Sequence, residues 1–177
     1  MSKLNNVNIE NVKSFETRLK NNPSDARRTQ GIEGEWILED GNTQFVSKIQ
    51  FENGETEFKV DNPTFMGGNG SLPGPLHYCF YGLAACYTGT FATMAAMLGI
   101  KLKKLTTKVE ADLNFSKVFG LNEEPIMEEV RVKLTVVSDD PIEKLKQAEE
   151  LTLQRCPVVF TLKNPVKLVP FLELSNK

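Results

Sequence analysis

Apolar positions along the chain change period several times, and each change marks an element. Ile9, Val12, Phe15 and Leu19 recur at steps of three and four, which is one face of a helix, and Asn21-Asn22-Pro23 ends the run. This predicts a short amphipathic docking helix. Gly34 to Glu39, Gln44 to Phe51 and Glu55 to Val60 read as short strands separated by Asp40-Gly41-Asn42 and Asn53-Gly54, both hairpin-turn signals, so a three-stranded meander is expected. Further on, Val109, Ala111, Leu113 and Phe115 alternate with Glu110, Asp112 and Asn114, and Val130, Val132, Leu134 and Val136 alternate with Arg131, Lys133 and Thr135. Each set is the period of a half-buried strand. Ser138-Asp139-Asp140-Pro141 reads as an N-cap cluster with proline in the first turn, opening a helix that turns Ile142, Leu145, Ala148 and Thr152 inward and ends before Cys156-Pro157. Val166 to Leu174 is a last extended segment, interrupted by Pro170. Helices grouped on one face of a largely antiparallel sheet make an α+β arrangement.

Between the meander and the later strands the pattern changes: from Asp61 to Lys101 no Asp, Glu, Lys or Arg intervenes. The first part, Asn62 to Pro75, is dense in glycine and proline and reads as a loop. The second, Leu76 to Ile100, is long enough to raise the question of a membrane span. It carries His77, Tyr78, Tyr81, Tyr87 and the hydroxyls of Thr88, Thr90 and Thr93, so the expectation is a helix apolar all round and covered by protein. Gly82, Ala85/Cys86, Gly89, Ala92/Thr93 and Ala96 recur down it near a 3.5-residue period. Such a stripe serves ordinary core packing or the close approach of a helix from a second chain.

Composition narrows the function classes. A chain of 177 residues with net charge -2 is one domain with no electrostatic footprint for nucleic acid or lipid headgroups. The glycines at 67, 68, 70 and 74 lack a following Lys-Ser/Thr, so a phosphate cradle is not expected. A single histidine, His77, leaves little for a Ser-His-Asp hydrolase, and the cysteines have no metal-ligand spacing; no metal or cofactor is expected. His77 reads as a polar residue satisfied at a helix start. The start Met1-Ser2-Lys3-Leu4-Asn5-Asn6 has no apolar leader core, and three cysteines is an odd number, so reduced thiols in the cytoplasm are expected.

The chemistry rests on Cys79, Cys86 and Cys156. The first two lie two helical turns apart, about 10 Å between Cα atoms, beyond the reach of a disulfide. Any internal disulfide must therefore use Cys156, and Cys86, on the small-residue stripe, is its favoured partner over Cys79. Against this stands the plain reading of all three as small buried hydrophobes. A cysteine on an apolar helix has a raised pKa and is inert unless a cation or donor reaches it. Arg27, Arg28 and Arg155 are the candidates, apart from Arg18 and Arg131.

Asp61-x-Pro63-x3-Gly67-Gly68, Pro73-x-Pro75, Gly82-Leu83-Ala84-Ala85-Cys86, Gly99-Ile100-x-Leu102 and Glu150-Leu151 with Arg155-Cys156-Pro157-Val158 together resemble the OsmC/Ohr family of osmotically inducible and organic-hydroperoxide-resistance proteins. The resemblance runs in order over about residues 55 to 165. It makes residues 1–24 an N-terminal helical extension and residues 25–177 the OsmC-like domain. It implies an antiparallel sheet wrapped around a long buried central helix in an intertwined homodimer, with thiol peroxidase sites between the subunits. Carried over by position, Cys86 matches the peroxidatic cysteine and Cys156 the resolving one: Cys86 becomes a sulfenic acid, condenses with Cys156, and an external dithiol resets the pair. Arg27 or Arg28 would supply the family's activating arginine. One departure stands out: the peroxidase branches follow the proline with a glutamate that holds that arginine, whereas Pro75 is followed by Leu76 and His77. Phe65, Met66, Tyr78 and Tyr81 favour an organic hydroperoxide, whose alkyl tail they can bury. The alternative is a redox-inactive OsmC-like dimeric module binding a small hydrophobic ligand.

Overall fold

A computed structural model describes residues 3–41 and 43–175; Met1, Ser2 and Asn42, which enter the leader and turn readings above, lie outside the described residues. Two short strands, β1 (Lys3–Leu4) and β2 (Val7–Asn8), pair around Asn5 and Asn6, whose φ angles of 55° and 61° are the left-handed values a tight turn needs and asparagine tolerates. The helix α1 (Ile9–Asn21) follows with its predicted face and stop, and the Asn8 side chain accepts from the Asn11 N–H as its N-cap. Asn5 ties this N-terminal part to the body of the protein. Its amide donates to the Ile100 carbonyl and accepts from the Leu102 N–H, both at 2.9 Å, as a neighbouring strand would.

The meander is β3 (Glu33–Trp36), β4 (Phe45–Phe51) and β5 (Gly54–Val60), all antiparallel and in chain order. Glu52 and Asn53 make the second turn, and Gly54 already pairs with Phe51. The long helix α2 (Pro75–Met97) has proline in its first turn and ends at Gly99, φ +73°. There the N–H groups of Gly99 and Ile100 reach back to the carbonyls of Ala96 and Ala95, the paired closure that glycine permits at a helix end. No helix among the described residues is long and apolar enough to cross a membrane. Nor is α2 covered all round in this chain. Leu83, Tyr87, Phe91, Ala95 and Ala96 are buried, whereas Gly82, Ala85 and Gly89 lie exposed on its open side.

The second sheet pairs β6 (Leu102–Glu110) with β7 (Arg131–Ser138), antiparallel. The strand expected over Val109 to Phe115 thus begins seven residues earlier and stops at Glu110. A register shift between Leu102 and Lys104 breaks the alternation that would have shown it. Beyond Glu110 the chain leaves the ladder, and Phe115 stacks edge-on against Phe65 with centroids 5.0 Å apart.

The helix α3 (Ile142–Arg155) has Pro141 rather than a serine or aspartate at its N-cap. The polar cluster before it has another use: Asp140 accepts from the Lys101 N–H and the Ser138 hydroxyl donates to the Lys101 carbonyl, locking the start of β6. Ile142, expected inward, is 58% exposed, while Ala148 and Thr152 are buried. The proline expected to end the helix opens another: α4 (Pro157–Lys163) follows directly, with Cys156 as C-cap of α3 and N-cap of α4. Residues 165–175 form no strand, and the apolar side chains of Val166 to Leu174 are exposed.

The core lies between α2, α3 and the second sheet: Phe91, Ala95, Ile100 and Ala148 are sealed, ringed by Met94, Leu98, Leu105, Leu134 and Val136. The meander meets α2 through Tyr78, whose hydroxyl donates to the Lys59 carbonyl at 2.7 Å and whose ring takes the edge of Phe58 at 5.5 Å. The result is an α+β fold of antiparallel sheets set against a long central helix.

Candidate active site

The loop that delivers the chain to α2 is organised by one carboxylate. Asp61 is 1% exposed and accepts from the backbone N–H groups of Asn69 and Ser71 and from the Ser71 hydroxyl. The Ser71 N–H foremost, aided by Asn69 and the Ser71 hydroxyl and opposed by burial, holds its pKa below the usual carboxylate range. Gly68 is required where this loop closes, because a Cβ there would lie 2.0 Å from the Asn62 carbonyl oxygen. Gln44 braces the loop from the meander, donating to the Gly67 carbonyl and accepting from the Asn62 N–H, both at 2.9 Å. His77 closes the first turn of α2 by accepting from the Gly74 N–H on Nδ1 at 3.1 Å, as expected of a histidine at a helix start.

Three turns into α2 stands Cys86, partly exposed, and opposite it Cys156, at the joint of α3 and α4 and fully buried. Their sulfurs are 3.4 Å apart and unbonded, with the Cys156 thiol donating to Cys86. Cys79 is exposed and free. Burial first, then the neighbouring Cys156 sulfur, push the Cys86 thiol up; the Val158 N–H and the Thr90 hydroxyl favour its thiolate and pull the other way. The Val158 N–H is available because α4 starts at Pro157, leaving the first-turn amides of α4 without partners inside the helix. No hydrophobic period or cysteine motif in the sequence marks it. The signal was Pro157 itself, which is as favourable at the start of a helix as it is damaging within one.

Among the described residues, no cation is among the groups that shift Cys86. The Arg28 guanidinium lies over the Phe15 ring, 5.2 Å from its centroid, with Arg18 over the same ring at 4.9 Å. Arg27 follows the short 3-10 turn Pro23–Ala26 and is exposed. Arg155 points from the α3 terminus to the Met94 sulfur at 3.7 Å. Arg131 is held by Asp112 and Glu129 at 2.8 and 2.7 Å.

Cavities lie along the central helix, and two of them are near its first half. One, of about 490 Å³, lies on the covered side, lined by Leu83, Tyr87, Leu153 and Val159 with Glu149 at its rim. Burial, then the neighbouring Glu149 and Cys156, push the Tyr87 phenol above its ordinary value. The other, of about 530 Å³, is an apolar groove between the meander and the start of α2, where Tyr78 and Tyr81 join Trp36, Phe45 and Ile49. Phe65, expected beside them, instead meets Phe115.

The site thus brings two free thiols from separate helical elements of an α+β chain into contact. The model of the OsmC-like protein family matches residues 68–170, more than half of the chain, and the chain belongs to that family. No curated protein sequence matches it. Among solved structures, the OsmC like protein from Mycoplasma pneumoniae aligns with a TM-score of 0.59 at 20% identity, over 78% of this chain and 91% of that one. An organic hydroperoxide resistance protein from Elizabethkingia anophelis gives 0.54 at 19% identity, over 78% and 92%. The organic hydroperoxide resistance protein OsmC from Legionella pneumophila gives 0.53 at 16%, over 77% and 92%. At these identities the likeness is one of fold.

Proposed function

We propose that this chain is a cysteine-based thiol peroxidase that reduces organic hydroperoxides. The observation that carries the proposal is the 3.4 Å contact between the Cys86 and Cys156 sulfurs. A Cys86 thiolate attacks the terminal peroxide oxygen, the O–O bond breaks, and the alkoxide leaves as an alcohol after taking a proton. The resulting Cys86 sulfenic acid is attacked by Cys156; water leaves and the disulfide closes. An external dithiol restores both thiols. The contact supports this order because the resolving sulfur needs no large movement to reach its target.

The thiolate needs stabilisation beyond the Val158 amide, and Arg27 or Arg28 is the proposed source, delivered from a second copy of the chain. The open side of α2 and the exposed apolar Trp36 and Tyr81 support a homodimer. Three free cysteines are in keeping with a reducing, cytoplasmic setting. Titration with an alkyl hydroperoxide should produce a disulfide between Cys86 and Cys156 in peptide mass spectra; thiols that stay unchanged refute the peroxidase. Single Arg27→Ala and Arg28→Ala variants identify the cation, and full peroxide consumption in both refutes that placement. Light scattering tests the dimer, which a stable monomer contradicts.

A second reading has its own support in the raised Cys86 thiol and in Leu76 standing where peroxidase branches carry a glutamate. In it the chain is a redox-inactive dimeric module that holds a small hydrophobic ligand in the apolar groove. Cys86→Ser would then leave ligand affinity unchanged.

A further inference from the structure

Tyr87 is 5% exposed, and among the described residues its hydroxyl has no hydrogen-bond partner. No sealed side-chain oxygen or nitrogen goes unpaired among these residues, so the hydroxyl opens onto space. That space is the cavity of about 490 Å³ on the covered side of α2. A hydroxyl set so deep without a protein partner carries a desolvation cost that a bound group would offset. Apolar side chains, Leu83, Leu153 and Val159 among them, make most of the wall. The exposed Glu128 and Glu149 also line it, with no ion-pair partner among the described residues, against one such cation, Lys163. Glu149 is close enough to Tyr87 for its charge to oppose ionisation of the phenol, so one ligand head can address both. The open side of α2, where the proposed homodimer meets, is no part of this wall, since Leu83 and Tyr87 belong to the buried face of the helix.

We propose that this cavity is a binding site for a small primary amine with an apolar body, whatever the thiol pair does. Its size is within the range of small-molecule pockets, about 300–1,000 Å³. The ammonium donates to the Glu149 carboxylate and to the unpartnered Tyr87 oxygen, and the apolar body lies against Leu83, Leu153 and Val159. The sign of the unpaired charges selects the head. A carboxylate would face Glu128 and Glu149 with only Lys163 to receive it, and an uncharged head would leave both carboxylates unused. The apolar groove between the meander and α2 has no charged side chain in its lining and cannot make this selection.

The test puts three heads on one body: 4-phenylbutylamine, 4-phenyl-1-butanol and 4-phenylbutyrate, each titrated calorimetrically into the full chain at neutral pH with its thiols reduced. The amine should bind tightest, with a Kd about fivefold or more below that of the butyrate. Tyr87→Phe removes only the hydroxyl and should weaken the amine about threefold or more. Glu149→Gln should bring amine and alcohol to within about twofold of each other. Leu153 is 45% exposed, so Leu153→Trp should fill the cavity without disturbing the fold, which circular dichroism checks, and abolish binding of all three. No heat from the amine at millimolar concentration overturns the proposal, and so does a butyrate that binds as tightly as the amine. Amine affinity unchanged in either Tyr87→Phe or Leu153→Trp places the probe elsewhere and overturns it as well. Peroxide consumption is not read, so the outcome is separate from that of the peroxidase reading.

Discussion

Replacing Asn5 with alanine tests whether the N-terminal part is integral to the fold. The Asn5 amide makes two hydrogen bonds of 2.9 Å across 95 and 97 residues of sequence, to the Ile100 carbonyl and from the Leu102 N–H. Each neutral, partly buried bond contributes about 0.5–1.5 kcal/mol, so their loss costs roughly 1–3 kcal/mol. The φ of 55° adds about 1 kcal/mol for alanine, which lacks asparagine's tolerance of the left-handed region. The expected sum of about 2–4 kcal/mol is a large share of a typical domain's stability. Asn5→Gly removes the same bonds without the backbone penalty and should fall about 1 kcal/mol short of alanine. In urea, followed by circular dichroism, the Asn5→Ala midpoint should drop by about 1 M or more with the slope unchanged. A midpoint within about 0.2 M of wild type refutes the reasoning, and a separate early transition would mean that the N-terminal part unfolds on its own.

Three further outcomes follow from the loop and the thiols. Gly68→Ala, whose Cβ would collide with the Asn62 carbonyl, should destabilise by about 3 kcal/mol or more, while Gly31→Ala, with nothing within 4 Å, should be nearly neutral in the same thermal melts. Asp61 has a folded pKa below its unfolded one, so its contribution is complete above the unfolded value, near 4, and is lost as pH falls through the folded value. Asp61→Asn should accordingly flatten the acid limb of a stability-against-pH curve, and an unchanged limb would show that Asp61 is not its source. Cys156→Ala removes a neighbour that pushes Cys86 up, so the pH midpoint of Cys86 alkylation should fall; a midpoint that rises or stays contradicts the contact.

The helix α1 and the meander were legible because single periods ran unbroken between strong stop signals, Asn22-Pro23 and Asn53-Gly54. β6 was displaced in the reading because its irregularity at Leu102 to Lys104 puts two exposed lysines in succession, and no two-residue period survives that. The polar run before α3 looked like a cap because Ser and Asp satisfy any free N–H, and the sequence alone does not say which. Here the recipient is Lys101, 39 residues away. The pair Cys86 and Cys156 could be narrowed by elimination and by family resemblance, whereas the Val158 amide depends on a helix whose residues, Val-Val-Phe-Thr, favour a strand. Asp61 escaped notice as an organiser because its partners are backbone groups, which leave no mark in side-chain chemistry.

Cys156 ends α3 and begins α4 with no residue between. Its own N–H is bonded to the Thr152 carbonyl, and its carbonyl accepts from the Phe160 N–H, both at 2.9 Å. A loop cysteine can swing without disturbing anything else, but this one is a hinge pin shared by two rods. Any displacement of its sulfur that reaches the backbone must loosen a hydrogen bond on one side or the other. The redox state of the thiol pair would then be readable far from any sulfur, as a change in amide hydrogen exchange at Cys156 and Phe160.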